Sequence, residues 1–465
     1  MIALLVVASC SLTTLNYTPC DTSAQCRDAF GFGYTCGDEG LCEEITIEPR
    51  CNDVYPVDLF QRIENYRDTI VIGSLFDQSS DTPEIQATRL AVMQVDDLSG
   101  LDGREFGVVE CTYEENNVYD DRSMEEATVF ASRWLAGTLG VPVIVGPATS
   151  SMAEAAYYVT SPLGTALISP SATSPALSTI DGLTKTNEEP GMFWRTAPPD
   201  SLQGEVVAAD MLDRNVRDVA VIYQTGSYGE GLATVFQSAF VAEGGTASLH
   251  AFSDNTQRDV AVTEVAAEHP DEVLFISSEG TDVSAFLNAA AVLSAYSTMG
   301  IFLTDAARDE DVLDAATTAR TLFDQVRGTA PSVPAGTVYD FFSGAYAGAF
   351  APDTADSSVY TAHSWDASWL SIYGIAWSQL NEGAITGVGV ARGFRHVSAG
   401  DAVDINPTRW TQVQANFAEA ASVDVTGASG SLDFDSQTEE TTAPLDVWTI
   451  GTDGASFDTE YTIEP

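Results

Sequence analysis

The sequence predicts an α/β protein of two lobes, each a parallel sheet covered by helices, preceded by a small disulfide-rich module. Three observations point there. Short β-branched runs alternate with amphipathic stretches from about residue 66, the alternation comes in two successive series, and four cysteines crowd the segment before the first series. A chain of 465 residues is long enough for two cores of ordinary size.

In the first series DTIVIGSLF, FGVVECTY, VPVIVGP and TALISPSA read as buried strands, since unbroken apolar runs suit a strand covered on both faces. Between them TPEIQATRLAVMQVDD and SMEEATVFASRWLAG carry helical spacing. The second series of strands, RDVAVIYQT, ASLHAFS, EVLFISS and GIFLTDA, alternates with YGEGLATVFQSAFVAEGG, DVAVTEVAAEH and DVSAFLNAAAVLSAYS. Such alternation requires crossover connections, hence parallel sheets with helices on both faces. APLDVWTI is expected as the final strand, and the acidic, Ser/Thr-rich DSQTEETTAP near residue 440 reads as low complexity.

The charge is one-sided. Nineteen basic against 68 acidic side chains leave −49, and Lys185 is the sole lysine. That field repels phosphate backbones, so no nucleic-acid partner is expected, and its self-repulsion suits a saline, exposed setting. His250, His269, His363 and His396 are scattered without metal-ligand spacing, no G-x-S-x-G elbow occurs, and GSYGEG lacks the lysine of a phosphate loop. No enzyme, metal or cofactor is therefore expected.

MIALLVVASC resembles the lipobox of bacterial lipoproteins, which implies that residues 1–10 are a signal remnant ending in an acylated Cys10. The protein would then be tethered in the periplasm or at the cell surface, because the apolar run is too short to span a bilayer. Cys20, Cys26, Cys36, Cys42, Cys51 and Cys111 make an even set for an exported chain, which reads as disulfides. Residues 11–52 form the Cys-rich module and linker; its spacings contain no C-x-x-C pair, which argues against zinc. Its four cysteines allow three pairings, which the spacing does not rank, and Cys51 is expected to pair with Cys111.

In open parallel sheets, ligands bind beyond the carboxyl ends of the strands, which singles out VIVGPATSSMAEAA, LISPSATSPAL and IFLTDAARD. IVGPATSSMAEAA, ALISPSATSPAL, FWRTAPPDSLQG and VAVIYQTGSYGEGLA, in that order and spacing, resemble the type I periplasmic binding proteins of the branched-chain amino acid and amide class over roughly residues 66–450. The resemblance implies two Rossmann-like lobes joined by three hinge crossovers, closing around a small amino acid or amide that is passed to an ABC transporter permease. Lobe 1 would take residues 66–197 plus 343–435 and lobe 2 residues 198–342 plus 436–465. FWRTAPPDSLQG would be the first crossover, with Arg195, Thr196 and Asp200 at the hinge.

The same resemblance implies a site. The hydroxyls of Ser150 and Thr173, with amides near Ala148 and Ser171, would hold the ligand's carboxylate; Ser151 and Ala172 lie in the same two loops. Asp305 would pair with the ammonium, and Tyr228 would close over the ligand. Glu279 falls near a position where relatives place an aromatic group, and a second acid there would favour a more cationic solute. The alternative is a sensor or regulatory protein with a degenerate pocket, which the extra Cys-rich module favours.

Overall fold

The computed structural model describes residues 18–332 and 335–464, so the lipobox and Cys10 lie outside the described residues. The first large sheet has six strands in the order Asp53–Tyr55, Phe106–Thr112, Ile70–Phe76, Val143–Val145, Ala166–Ser169 and Phe193–Arg195. All pairs are parallel except the edge pair Asp53–Tyr55 with Phe106–Thr112. Alternate side chains of one strand serve opposite faces. Thus Ile70, Ile72 and Phe76 pack under helices Thr82–Asp96 and Thr361–Glu382, while Val71 and Leu75 face helices Met124–Arg133 and Ser150–Thr160.

Helix Thr361–Glu382 is buried from Thr361 through Ser378. Small residues let its neighbours approach: a Cβ on Gly374 would stand 2.8 Å from the Val390 carbonyl oxygen in helix Gly387–Phe394. Its Asp366 accepts from the amides of Ala428 and Ser429 at 2.9 and 2.7 Å, fixing the turn of a small third sheet, Asp401–Asp404, Val423–Gly427 and Gly430–Ser431, onto the helix. Helix Thr337–Phe350 also sets Val338, Phe342 and Tyr346 in this first core, whereas the sequence reading divides that helix between the lobes.

The second large sheet has seven strands: Thr246–Phe252, Asp218–Gln224, Glu272–Ile276, Gly300–Leu303 and Val326–Pro331 in parallel, then Leu445–Ile450 and Phe457–Ile463 antiparallel. Leu445–Ile450, the APLDVWTI segment, is therefore not the last strand. Phe457–Ile463 pairs beyond it and was missed because its mostly polar residues, exposed along most of the strand, lack the apolar run of a buried one.

The Cys-rich module is stapled by Cys20–Cys36 and Cys26–Cys42, and Cys51–Cys111 ties the following segment to the central part of the first sheet. It docks on lobe 1: the Trp134 indole donates to the Thr46 carbonyl at 3.0 Å, and Phe60 lies between Phe32 and Trp134. Among the described residues no helix is long and apolar enough to cross a membrane.

The chain passes between the two large sheets three times, after Phe193–Arg195, after Val326–Pro331 and before Leu445–Ile450. These crossovers are bonded to one another and to helix Thr361–Glu382. Arg195 reaches Glu440 through two bonds of 2.6 Å, and Thr196 donates to the His363 carbonyl at 3.0 Å while the His363 ring meets the Thr196 carbonyl at 3.1 Å. The stretch read as low complexity, DSQTEETTAP, is thus part of a structural crossover: Glu439 is buried and pairs with Arg395 and Lys185, and Glu440 pairs with Arg195.

Candidate ligand-binding site

Between the lobes lies a cavity of about 390 Å3, built from loops that follow the carboxyl ends of strands in both sheets. Lobe 1 supplies Asp77 to Glu84 after strand Ile70–Phe76, Ala148 to Ser150 after Val143–Val145, and Ser171 after Ala166–Ser169. Lobe 2 supplies Tyr228, Glu279 and Asp305, each just past a strand. Ala148, Ser150, Ser171, Tyr228, Glu279 and Asp305 are therefore brought together on one cavity.

The loops on the lobe 1 side brace each other. Gly146 has φ +98°, and a Cβ there would stand 2.3 Å from the Leu75 carbonyl, so glycine lets this turn sit against the neighbouring strand end. Ser169 Oγ donates to the Pro147 carbonyl at 2.6 Å and accepts from the Ala172 amide at 2.9 Å. Ser171 Oγ donates to the Ala148 carbonyl at 2.9 Å, and Ser150 Oγ accepts from the Ser174 amide at 3.1 Å. Helix Ser150–Thr160 starts at this wall without a side-chain cap on its first-turn amides, the arrangement that attracts an anion.

Asp305 anchors the opposite side. Its Oδ1 accepts from the Tyr228 hydroxyl at 3.0 Å and from Gln203 Nε2 at 2.7 Å, and its Oδ2 accepts from the Tyr360 hydroxyl at 2.6 Å. Burial beside this carboxylate pushes both phenols well above their ordinary pKa, so they remain donors across the working pH range. Tyr360 precedes the central helix Thr361–Glu382 and gives Asp305 a partner from the far side of the cleft; this contact spans 55 residues and no sequence motif marks it. Gln203, on helix Asp200–Asp213, lies within FWRTAPPDSLQG but was also missed, because its contact with Asp305 spans 102 residues.

Three positions differ from their expected roles. Thr173 turns its hydroxyl to Asp200 at 3.0 Å and lies off the cavity, so the carboxylate-holding role assigned to it does not fit. The Ala172 amide is already taken by Ser169. Ser151 faces the other lobe, accepting from the Ser227 amide at 3.1 Å; with Ser174 Oγ donating to the Ser227 carbonyl at 2.7 Å, it closes the cavity rim. Asp200 lies behind the site, where burial and the Asp305 charge hold its carboxyl well above the usual range.

The sequence matches the receptor family ligand binding region over residues 84–453. It is 35% identical over 133 residues to the Leu/Ile/Val-binding protein homolog 3 of Brucella melitensis, covering 28% of this chain and 33% of that protein. It is 32% identical over 160 residues to the Leu/Ile/Val-binding protein BraC3 of Rhizobium johnstonii, covering 34% and 41% respectively. The matched stretches thus span well under two thirds of these curated relatives.

In fold, the branched-chain amino acid transporter substrate binding protein LivJ of Streptococcus pneumoniae, solved with isoleucine, superposes with a TM-score of 0.64 at 19% identity, covering 85% of this chain and 100% of LivJ. An R. palustris solute-binding protein solved with benzoate superposes at 0.60 and 17% identity, covering 85% and 97%. These relatives and neighbours are named as binding proteins, not as enzymes. The chain belongs to the receptor family ligand binding region and has the fold of the type I periplasmic binding proteins of the branched-chain amino acid class.

Proposed function

We propose that this protein is a solute receptor that closes its lobes around a small amino acid or amide and delivers it to an ABC transporter permease, tethered to the membrane by lipid on Cys10. The observation that carries the reading is Asp305, a carboxylate inside the interlobe cavity, held by Tyr228 from one side and Tyr360 from the other. Such a group offers a partly desolvated acceptor for an ammonium, while the uncapped helix opposite offers amides to a carboxylate. The named relatives supply the transport context: two are named as Leu/Ile/Val-binding proteins, LivJ as a transporter substrate binding protein, and the R. palustris neighbour as a solute-binding protein of an ABC transporter.

Calorimetric titration of the full chain against a panel of amino acids and amides tests this. A saturable heat is expected for at least one of them. Asp305→Asn should weaken that binding by roughly 10- to 100-fold, the loss of a charge-assisted contact of about 1.5 to 3 kcal/mol. A folded protein that gives no heat with any member at millimolar concentration would instead favour a sensor with a degenerate pocket.

A further inference from the structure

We infer that the solute taken by this cleft carries two cationic nitrogens, as an α,ω-diamine or a basic amino acid does, rather than the aliphatic side chain of leucine; this rests on the receptor reading above. The cavity has two separate negative foci. One is Asp305 with its tyrosine clamp. The other gathers Asp77, Asp81 and Glu84 from lobe 1 opposite Glu279 of lobe 2. Ser358 and Tyr360, two residues apart, hold one focus each: Ser358 Oγ donates to Glu84 and the Tyr360 hydroxyl to Asp305.

These acids are not a solvated surface. Asp77 is 8% exposed, Glu84 5% and Asp305 6%, yet no hydrogen bond from another described residue reaches Asp77 Oδ2 or Glu84 Oε2. Both oxygens stay accessible from the cavity, where the N–H groups of a cationic ligand can reach them. Among the described residues of the lining, Arg308 is the only basic one, and its guanidinium is spent on Asp446 at 3.0 Å. Among the described residues of the lining, Met124 and Val359 are the only aliphatic side chains larger than alanine and proline, so its apolar surface comes largely from tyrosine rings and small residues.

The electrostatics agree with the geometry. Burial, with Asp81 and then Asp282 and Asp77 nearby, pushes Glu279 up to about 7. Burial, with Asp81 and more distantly Asp309, pushes Glu84 up to about 8 against the opposing Ser358 bond, and Asp81 rises to about 6. Arg258 does not relieve this set, being paired with Asp282 at 2.9 Å and with Asp259. A dication entering such a site favours the ionised acids, so binding releases protons and tightens as pH rises through the neutral range.

The test is competitive calorimetry of the full chain with 1,4-diaminobutane, L-arginine, L-lysine and L-leucine in two buffers of different ionisation enthalpy. The inference expects at least one dicationic probe to bind tenfold or more tighter than leucine, with proton release on binding. It expects Glu279→Gln to weaken the dicationic probe about tenfold or more and so to erase most of its advantage over leucine, with less proton release on binding. Glu84→Gln, which removes a buried acid, should act in the same direction and serves if the first variant folds poorly. Leucine binding as tightly as the amines, or calcium ion alone giving the heat while the amines are silent, would overturn the inference but leave a binding cleft. Silence from every probe and every neutral amino acid would overturn the receptor reading with it.

Discussion

Arg195 shows how much one side chain can organise. Besides its paired bonds to Glu440, it donates to the carbonyls of Ala172 and Ser174 at 3.0 and 2.9 Å and to Ser178 Oγ at 2.6 Å. Its fork therefore ties two crossovers to the loop whose Ser171 lines the cavity. Arg195→Met should destabilise the protein by about 3 to 5 kcal/mol, since Glu440 and two carbonyls would lose a buried partner. Urea unfolding measures this, and a loss below about 1 kcal/mol would contradict the clamp. The arginine was readable from FWRTAPPDSLQG; its partner, 245 residues away in a stretch of low complexity, was not. The same limit explains Thr173. A hydroxyl in a turn was readable, but its direction depends on Asp200, which only the crossover brings near.

At the level of elements, closure comes down to two helices meeting. Helix Ser150–Thr160 and the turn Pro175–Thr179 of lobe 1 touch helix Ser227–Ala242 of lobe 2. Gly231 permits it: a Cβ there would lie 2.9 Å from Pro175 Cδ and 3.1 Å from Ser174 Oγ. Gly231→Leu should prop the lobes apart, lowering ligand affinity about tenfold or more while the better helix former leaves thermal stability equal or higher. Small-angle scattering and calorimetry together check this, and unchanged affinity would mean that the contact is not part of closure. Most of these elements could be read from the chain, because buried parallel strands and amphipathic helices have distinct periods. The strand Phe457–Ile463 could not, since the exposed residues along most of it follow no such rule.

For the whole molecule, buried acids and the net charge of −49 act in the same direction. Desolvation raises Asp81 to about 6, Asp366 to about 7, Glu279 to about 7 and Glu84 to about 8. Unfolded carboxyls titrate near 4, so over the neutral range the folded state binds more protons than the unfolded one. Stability is then greatest below the unfolded values and is lost as pH rises through the folded ones. The ligand-free protein should melt at a higher temperature at about pH 5 than at about pH 8. Raising salt from about 0.05 to about 1 M should raise the melting temperature at the higher pH by screening self-repulsion. A melting temperature flat in both variables would contradict the buried-acid picture. The acidity was plain from composition; that part of it is concentrated in the cleft emerges only when loops 77–84, 278–279 and 305–309 meet.

The central claim is that a solute is gripped between the lobes, with Asp305 on one side and the start of helix Ser150–Thr160 on the other. Hydrogen–deuterium exchange of the full chain, with and without the solute that gives the largest calorimetric heat, tests this most directly. Protection is expected together in residues 148–152, 226–231 and 304–309, with no change in the Cys-rich module at 20–46. Protection confined to the module, or to one lobe with the facing segments unchanged, would contradict it.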